Sequence, residues 1–205
     1  RTGTARELSS CGDLEVHLGN DGKYYVLDFS RFMPPEAPFR APPGDRGIFF
    51  KLLRPEFVAR FPTPLNPDAF SGWSRLDPRR TLLNKQAVIA TEYLIRKVIP
   101  RMAARMDEFY AEQLEHHLAQ ESSEQLIDQA GAVTHTLKTS TGQPGDPLAI
   151  PIPLYDLHEQ FRLVEELHRA GLCLRHMGLL CTHVKSRPMR LLLINEMCIR
   201  SLKNL

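Results

Sequence analysis

Apolar and polar positions alternate along Leu14-Glu15-Val16-His17-Leu18, the two-residue period of a strand with one face turned to a core. Gly19-Asn20-Asp21-Gly22 follows with residues that tolerate positive φ, and Tyr24-Tyr25-Val26-Leu27-Asp28-Phe29 resumes with aromatic and β-branched content, so 14–29 reads as a β-hairpin. Met33 to Pro43 then carries Pro34, Pro35, Pro38, Pro42 and Pro43, each fixing φ and removing a donor, which predicts an extended loop.

Beyond that loop the period changes. Leu53 to Phe61 reads as a short helix with Pro55 in its first turn, stopped by Pro62, Pro64 and Pro67. Asp77-Pro78 opens a longer helix in which Leu83, Ala87, Ala90, Leu94 and Val98 share a face. Pro100 is expected to kink it or to separate it from a more polar helix carrying Met102, Met106, Phe109, Gln113 and His117. Thr139 to Pro153 lacks periodicity and is rich in Gly, Pro, Ser and Thr, a loop by composition. Leu157, Phe161, Val164 and Leu167 line one helix that ends at Gly171, and Leu191 to Leu202 forms a last amphipathic helix. The fold class expected is α+β, mostly helical with an N-terminal β-hairpin: hairpin and proline-rich loop over 11–45, a helical part over 46–205, and a loop at 139–153.

Composition narrows the class. The chain has 205 residues, 42% hydrophobic and 24% charged, which is globular composition and enough length for one sizeable core. No apolar run approaches the roughly 18 residues that span a bilayer. The chain starts without Met and stops inside an apolar periodic stretch, so both ends read as cuts through a longer polypeptide. Cys11, Cys173, Cys181 and Cys198 are too few and too irregularly spaced for a disulfide framework, which fits reduced thiols in a cytosolic setting. The net charge of +2 hides an uneven distribution. Leu167 to Leu205 holds Arg169, Arg175, Lys185, Arg187, Arg190, Arg200 and Lys203 against Glu196 alone, while Asp107 to Asp128 is acidic and has no Lys or Arg.

Two stretches resemble the clustered-mitochondria (Clu) family. One is Gly19-Asn20-Asp21-Gly22-Lys23-Tyr24-Tyr25-Val26-Leu27-Asp28-Phe29-Ser30-Arg31 with Pro34 and Pro35 after it, similar to the family's G-x-D-G-R-x-Y-x-L-D-L-x-R. The other is Leu167-His168-Arg169-Ala170-Gly171-Leu172-Cys173-Leu174-Arg175-His176-Met177-Gly178, similar to G-I-N-x-R-x-L-G, with Cys173 where the family has Asn and Met177 where it has Leu. Leu52-Leu53-Arg54-Pro55-Glu56-Phe57-Val58 resembles the segment between them. The resemblance makes Gly22, Tyr25, Asp28, Arg31, Gly171 and Gly178 structural motif positions. It implies a cytoplasmic protein needed for the distribution of mitochondria and associated with messenger RNAs for mitochondrial proteins.

Catalytic readings fare worse. Asp28-Phe29, Pro34-Pro35-Glu36 and Arg175-His176 echo protein-kinase signatures, but their order is reversed and no glycine-rich phosphate loop or paired Lys accompanies them. Cys173, His176, Cys181 and His183 have zinc-ligand types, yet only four residues separate His176 from Cys181, where structural sites leave on the order of 12. No spacing pairs a Cys with a His for nucleophilic catalysis. No cofactor, metal or catalytic residue is therefore expected. The expected function is a noncatalytic module acting through RNA or protein contacts in mitochondrial organisation. Arg169, Arg175, His176, Lys185, Arg187 and Arg190 are the candidate RNA-binding residues. A basic run more often forms a solvated face or docks on an acidic element of the same molecule. The alternatives are a protein-interaction scaffold without RNA binding and an enzyme whose active site lies partly outside the chain.

Overall fold

The computed structural model describes residues 10–28, 30–38, 46–129 and 152–203, with side chains of the long central helix described as far as residue 120. Its elements run β1 (Glu15–Leu18), β2 (Tyr24–Leu27), α1 (Pro55–Val58), α2 (Arg80–Tyr93), α3 (Ile99–Gln129), α4 (Leu154–Phe161), α5 (Leu163–Ala170), α6 (Met177–His183) and α7 (Arg187–Lys203), with 3-10 turns at Gly47–Phe49 and Leu174–His176. The α+β class with an N-terminal antiparallel hairpin is as expected. Phe29 and most of the 139–153 loop lie outside the described residues. No helix among the described residues is long and apolar enough to cross a membrane. The chain divides into two compact units, one holding the chain up to Val98 with Leu167–Cys173, the other Ile99–Glu166 and Leu174–Leu205.

In the N-terminal unit the proline-rich segment is described as far as Pro38, and this part is not helical; 39–45 lie outside the described residues. Because Pro35 has no N–H, its neighbours make the cross-links: Leu53 N–H donates to Pro34 C=O and Glu36 N–H to Lys51 C=O, both at 2.8 Å. These bonds form an isolated antiparallel bridge. One step on, Ala37 N–H donates to Thr91 Oγ1 at 2.8 Å. That hydroxyl in turn donates to Ala87 C=O on the preceding turn of α2, so a buried backbone donor outside any sheet is satisfied by a helix side chain. α1 is shorter than the span predicted for it and begins with Pro55 at its first position, where the missing N–H has no intrahelical acceptor. Phe57, Phe61 and Tyr93 cluster, with ring centroids 5.5 to 6.4 Å apart. Leu53, Phe57, Ala87, Ala90, Leu94, Leu167 and Leu172 are buried.

Glu56, in the first turn of α1, accepts Nε and Nη2 of Arg54 at 2.8 and 2.9 Å. This bidentate pair lowers the Glu56 carboxyl from its ordinary 4.5 to about 2. A carboxyl with a depressed folded-state pKa stabilises the fold above its unfolded value and loses that contribution as pH falls through the folded one. Melts of Glu56→Gln and the parent should therefore converge as pH drops from about 4.5 to about 2. The difference at neutral pH should stay under about 1 kcal/mol, because the pair is half-exposed and screened by water.

Pro100 behaves as a break of an unexpected form. It is the second residue of α3, and the five residues Leu94–Val98 before it form a π turn. A proline cannot donate to the carbonyl four residues back and its ring crowds that group, so the turn ahead of it widens.

In the second unit α3 packs on α6 and α7, and α4 packs on α7. Met102, Ala103, Met106, Leu157, Phe161, Leu163, Met177, Leu180, Met189, Leu192 and Leu193 are buried. The single helix predicted through Leu157, Phe161, Val164 and Leu167 is instead two. Arg162 takes left-handed φ +48° and ends α4, and α5 restarts at Leu163. The break resets the helical phase, so Leu163 is buried and Val164 only half-buried. α7 begins four residues earlier than the periodicity of Leu191 to Leu202 indicated, with Pro188 in its first turn. α6 was not predicted at all.

Candidate functional site

The hairpin pairs Glu15 with Leu27, Val16 with Val26, His17 with Tyr25 and Leu18 with Tyr24. Since side chains alternate across a strand, Val16, Leu18, Tyr24 and Val26 share one face and Glu15, His17, Tyr25 and Leu27 the other. The second face is stitched by polar bonds. His17 and Glu15 approach to 3.3 Å, and Tyr25 Oη donates to Asp21 Oδ2 at 2.8 Å. That bond raises the Tyr25 phenol and holds the Asp21 carboxyl down. Tyr25 also lies so close over Gly19 that a Cβ there would meet its ring at 2.5 Å. The first face has no such ties: Val16 is 54% exposed, Leu18 64%, Tyr24 76% and Val26 38%. An alternating strand pair normally turns its apolar face to a core. In this hairpin every strand residue is exposed, on both faces, with Tyr25 at 49% and Leu27 at 46% on the second.

Arg31 anchors the segment after the hairpin. Only 4% exposed, it donates Nε and Nη2 to Asp13 at 2.7 and 2.8 Å and Nη2 to Asp68 at 3.0 Å. Asp68 also accepts Gly12 N–H at 2.7 Å, and the Arg31 guanidinium lies 5.4 Å from the Phe49 ring centre. The forked bond from Arg31 lowers the Asp13 carboxyl and raises the Arg31 guanidinium. Three separate stretches, 12–13, 31 and 68, are thus tied at one buried cation. Asp28, φ +53°, accepts Ser30 N–H and Oγ at 3.1 and 2.6 Å. It therefore stabilises its own turn, and Arg31 goes to the two other carboxylates. Gly22, φ +72°, supplies the turn's left-handed residue.

The second motif's glycines differ in kind. Gly171, φ +83°, would set a Cβ 2.7 Å from Phe57 Cβ and 2.9 Å from Phe57 Cα. It is needed for both conformation and close approach. A Cβ on Gly178, by contrast, would meet nothing within 4 Å.

The six basic candidates are divided between the two units. Arg169 belongs to the N-terminal unit and Arg175, His176, Lys185, Arg187 and Arg190 to the second. His176 is 8% exposed, which disfavours the stacking on a base for which it was chosen. Arg175, Lys185, Arg187 and Arg190 are exposed. Part of this stretch is engaged by the acidic helix. Asp107 Oδ1 and Oδ2 accept Lys185 N–H at 3.1 and 3.0 Å, and Oδ1 accepts Ser186 N–H at 2.8 Å. α3 thereby caps the start of α7, where backbone donors lack intrahelical partners. Glu196, the lone acid of the stretch, is buried and takes Arg200 Nε at 2.7 Å and Nη2 at 2.6 Å, with His158 3.8 Å away.

The cysteine and histidine candidates separate too. Cys173 Sγ faces Leu52 C=O at 3.8 Å and Cys181 Sγ faces Arg190 C=O at 4.0 Å. Among the described residues no group of three or more His, Cys, Asp or Glu converges as a metal site would require.

Sequence reading found the hairpin but passed over two residues that hold it in place, Asp13 and Asp68. Asp68 follows Asn66-Pro67 in a turn and carries no local mark of a partner 37 residues earlier.

No curated protein and no solved structure matches the chain. The family model described as Clustered mitochondria matches residues 1–39. That stretch holds the whole hairpin, Asp13, Asp28, Arg31 and the first prolines, so the likeness to that family lies in the hairpin segment.

Proposed function

We propose that the chain is a noncatalytic module of a cytoplasmic Clu-like protein and that it serves mitochondrial distribution by holding a partner polypeptide on its hairpin. The observation that carries this reading is the outward apolar face of Val16, Leu18, Tyr24 and Val26, within the stretch that matches the family model. A water-facing apolar patch on a short hairpin costs solubility and stability, and an adjoining polypeptide relieves both.

The reading predicts that Leu18→Lys with Tyr24→Lys abolishes the chain's ability to restore an even mitochondrial distribution in cells lacking the endogenous protein, at unchanged expression and melting temperature. Charge reversal of Arg175 and Arg187 to Glu should leave rescue intact. The opposite pattern, rescue lost only with the arginines, would transfer the function to RNA. Arg175, Lys185, Arg187 and Arg190 on the second unit favour that second reading. It requires filter binding that weakens steeply between two salt concentrations.

A further inference from the structure

The hairpin's backbone narrows what the partner is, on the footing of the protein-contact reading above. Gly19 N–H donates to Lys23 C=O at 2.8 Å, which marks 19 and 23 as a bonded pair. Antiparallel pairs alternate, so His17–Tyr25 is bonded, while Leu18–Tyr24 and Val16–Val26 are the non-bonded pairs. The N–H and C=O groups of Tyr24 and Val26 therefore point away from β1. Among the described residues the sheet has two strands, and no backbone hydrogen bond reaches the outer side of Tyr24 or Val26.

Edges left open in water are usually blunted by a charge, a proline or a bulge. β1 has Glu15 and His17, but Tyr24-Tyr25-Val26-Leu27 has none of these devices. The open edge and the apolar face also meet on the same two residues, since Tyr24 and Val26 belong to both.

Area and charge then select the occupant. Four partly exposed side chains offer apolar surface on the order of 400 Å², about half of the ~800 Å² each member of a standard dimer buries. A second copy held on this face alone falls short, whereas a single added strand draws its affinity mainly from main-chain bonds. β2 is flanked by Lys23, exposed and 3.2 Å from Asp21 of the turn, on one side and by Asp28 on the other, the latter with its carboxyl held down by Ser30. An antiparallel strand whose first residue is basic and whose last is acidic sets opposite charges against both ends and continues the antiparallel pairing of β1 with β2, whereas a parallel strand would need the reverse order.

We infer that β2 is an acceptor edge for an extended strand of a partner protein, added antiparallel, with small apolar side chains opposite Val26 and Tyr24, a basic residue opposite Asp28 and an acidic residue opposite Lys23. The added strand turns the hairpin into a three-stranded sheet and extends its apolar face.

The test uses the intact chain and the acetylated, amidated peptide Lys-Thr-Val-Thr-Val-Glu, followed by NMR titration and amide exchange. The peptide should slow exchange at Tyr24 and Val26 and leave Tyr25, already bonded to β1, unchanged. Val26→Pro removes one outward donor and no bond within the hairpin, and it should weaken binding at least tenfold with hairpin shifts otherwise preserved. The charge-swapped peptide Glu-Thr-Val-Thr-Val-Lys should bind several-fold more weakly. No slowing at Tyr24 and Val26, or equal affinity for the Val26→Pro chain, overturns strand addition. Sedimentation showing dimers that Val26→Pro dissolves overturns it in favour of a second copy. Loss of cellular rescue with Leu18→Lys and Tyr24→Lys but not with Val26→Pro keeps the contact reading and rejects the edge.

Discussion

Replacing Arg31 with alanine should lower the stability of the N-terminal unit by about 3 kcal/mol, the cost of leaving the buried Asp68 and the half-buried Asp13 without their cation. The size follows from geometry. Asp13 and Asp68 both lean on one guanidinium, Asp68 is nearly buried, and Gly12 hangs from its other oxygen. With the cation gone, the two carboxylates face each other's charge without relief, and the Phe49 ring loses its contact. Arg31→Lys keeps the charge and loses the planar fork that reaches Asp13 through two nitrogens, so it should fall between parent and alanine. Urea melts followed by hairpin amide signals measure the loss. An alanine variant within about 1 kcal/mol of the parent would show that the anchor is dispensable. Acid should erode the same tie. Because the Asp13 carboxyl is lowered in the fold, its contribution is complete above its ordinary 3.8 and disappears as pH falls through the depressed value.

Gly171→Ala should cost about 3 kcal/mol, whereas Gly178→Ala in the same motif should change stability by less than about 1 kcal/mol. At position 171 two penalties add. The left-handed φ of +83° strains any residue with a Cβ, and the new methyl would lie 2.7 Å from the Phe57 side chain and 2.9 Å from its backbone. Phe57 is buried among Phe61 and Tyr93, so it cannot step aside without disturbing that group. Gly178 has open space around its missing Cβ and lies in α6, where alanine is the better helix former. Thermal melts of the two single variants settle the contrast, and equal effects would refute this account of the motif.

These two glycines also show what a sequence can disclose. Gly171 was legible as a helix terminator, because positive φ is a local property that composition records. That it also makes room for Phe57 was not, since the partner lies more than a hundred positions earlier. The hairpin was legible because period-two alternation and turn residues agreed. The burial of Arg31 and its choice of Asp13 and Asp68 over Asp28 depend on chain separations that no local pattern encodes. Arg162 defeated the helix prediction for a related reason. Nothing but its backbone marks the break, and an arginine is not one of the residues that visit the left-handed conformation routinely. α6 was hidden by the chemistry of Cys173, His176, Cys181 and His183, which invited comparison with metal sites instead of a count of helical spacing. Those residues are divided between the two units. The basic stretch was visible as a sum of charges, but the burial of His176 was not, because it is set by packing and not by composition.

The bond from Asp107 to the start of α7 reaches across 78 positions of chain. Closing so long a circuit is expensive at the outset and nearly indifferent to further growth, since doubling the intervening length adds only about 0.6 kcal/mol of entropy. Added polypeptide between the acidic helix and the turn it caps should therefore cost this fold little, whereas loss of the Asp107 carboxylate leaves the Lys185 and Ser186 N–H groups without their acceptor, a cost of about 1 kcal/mol.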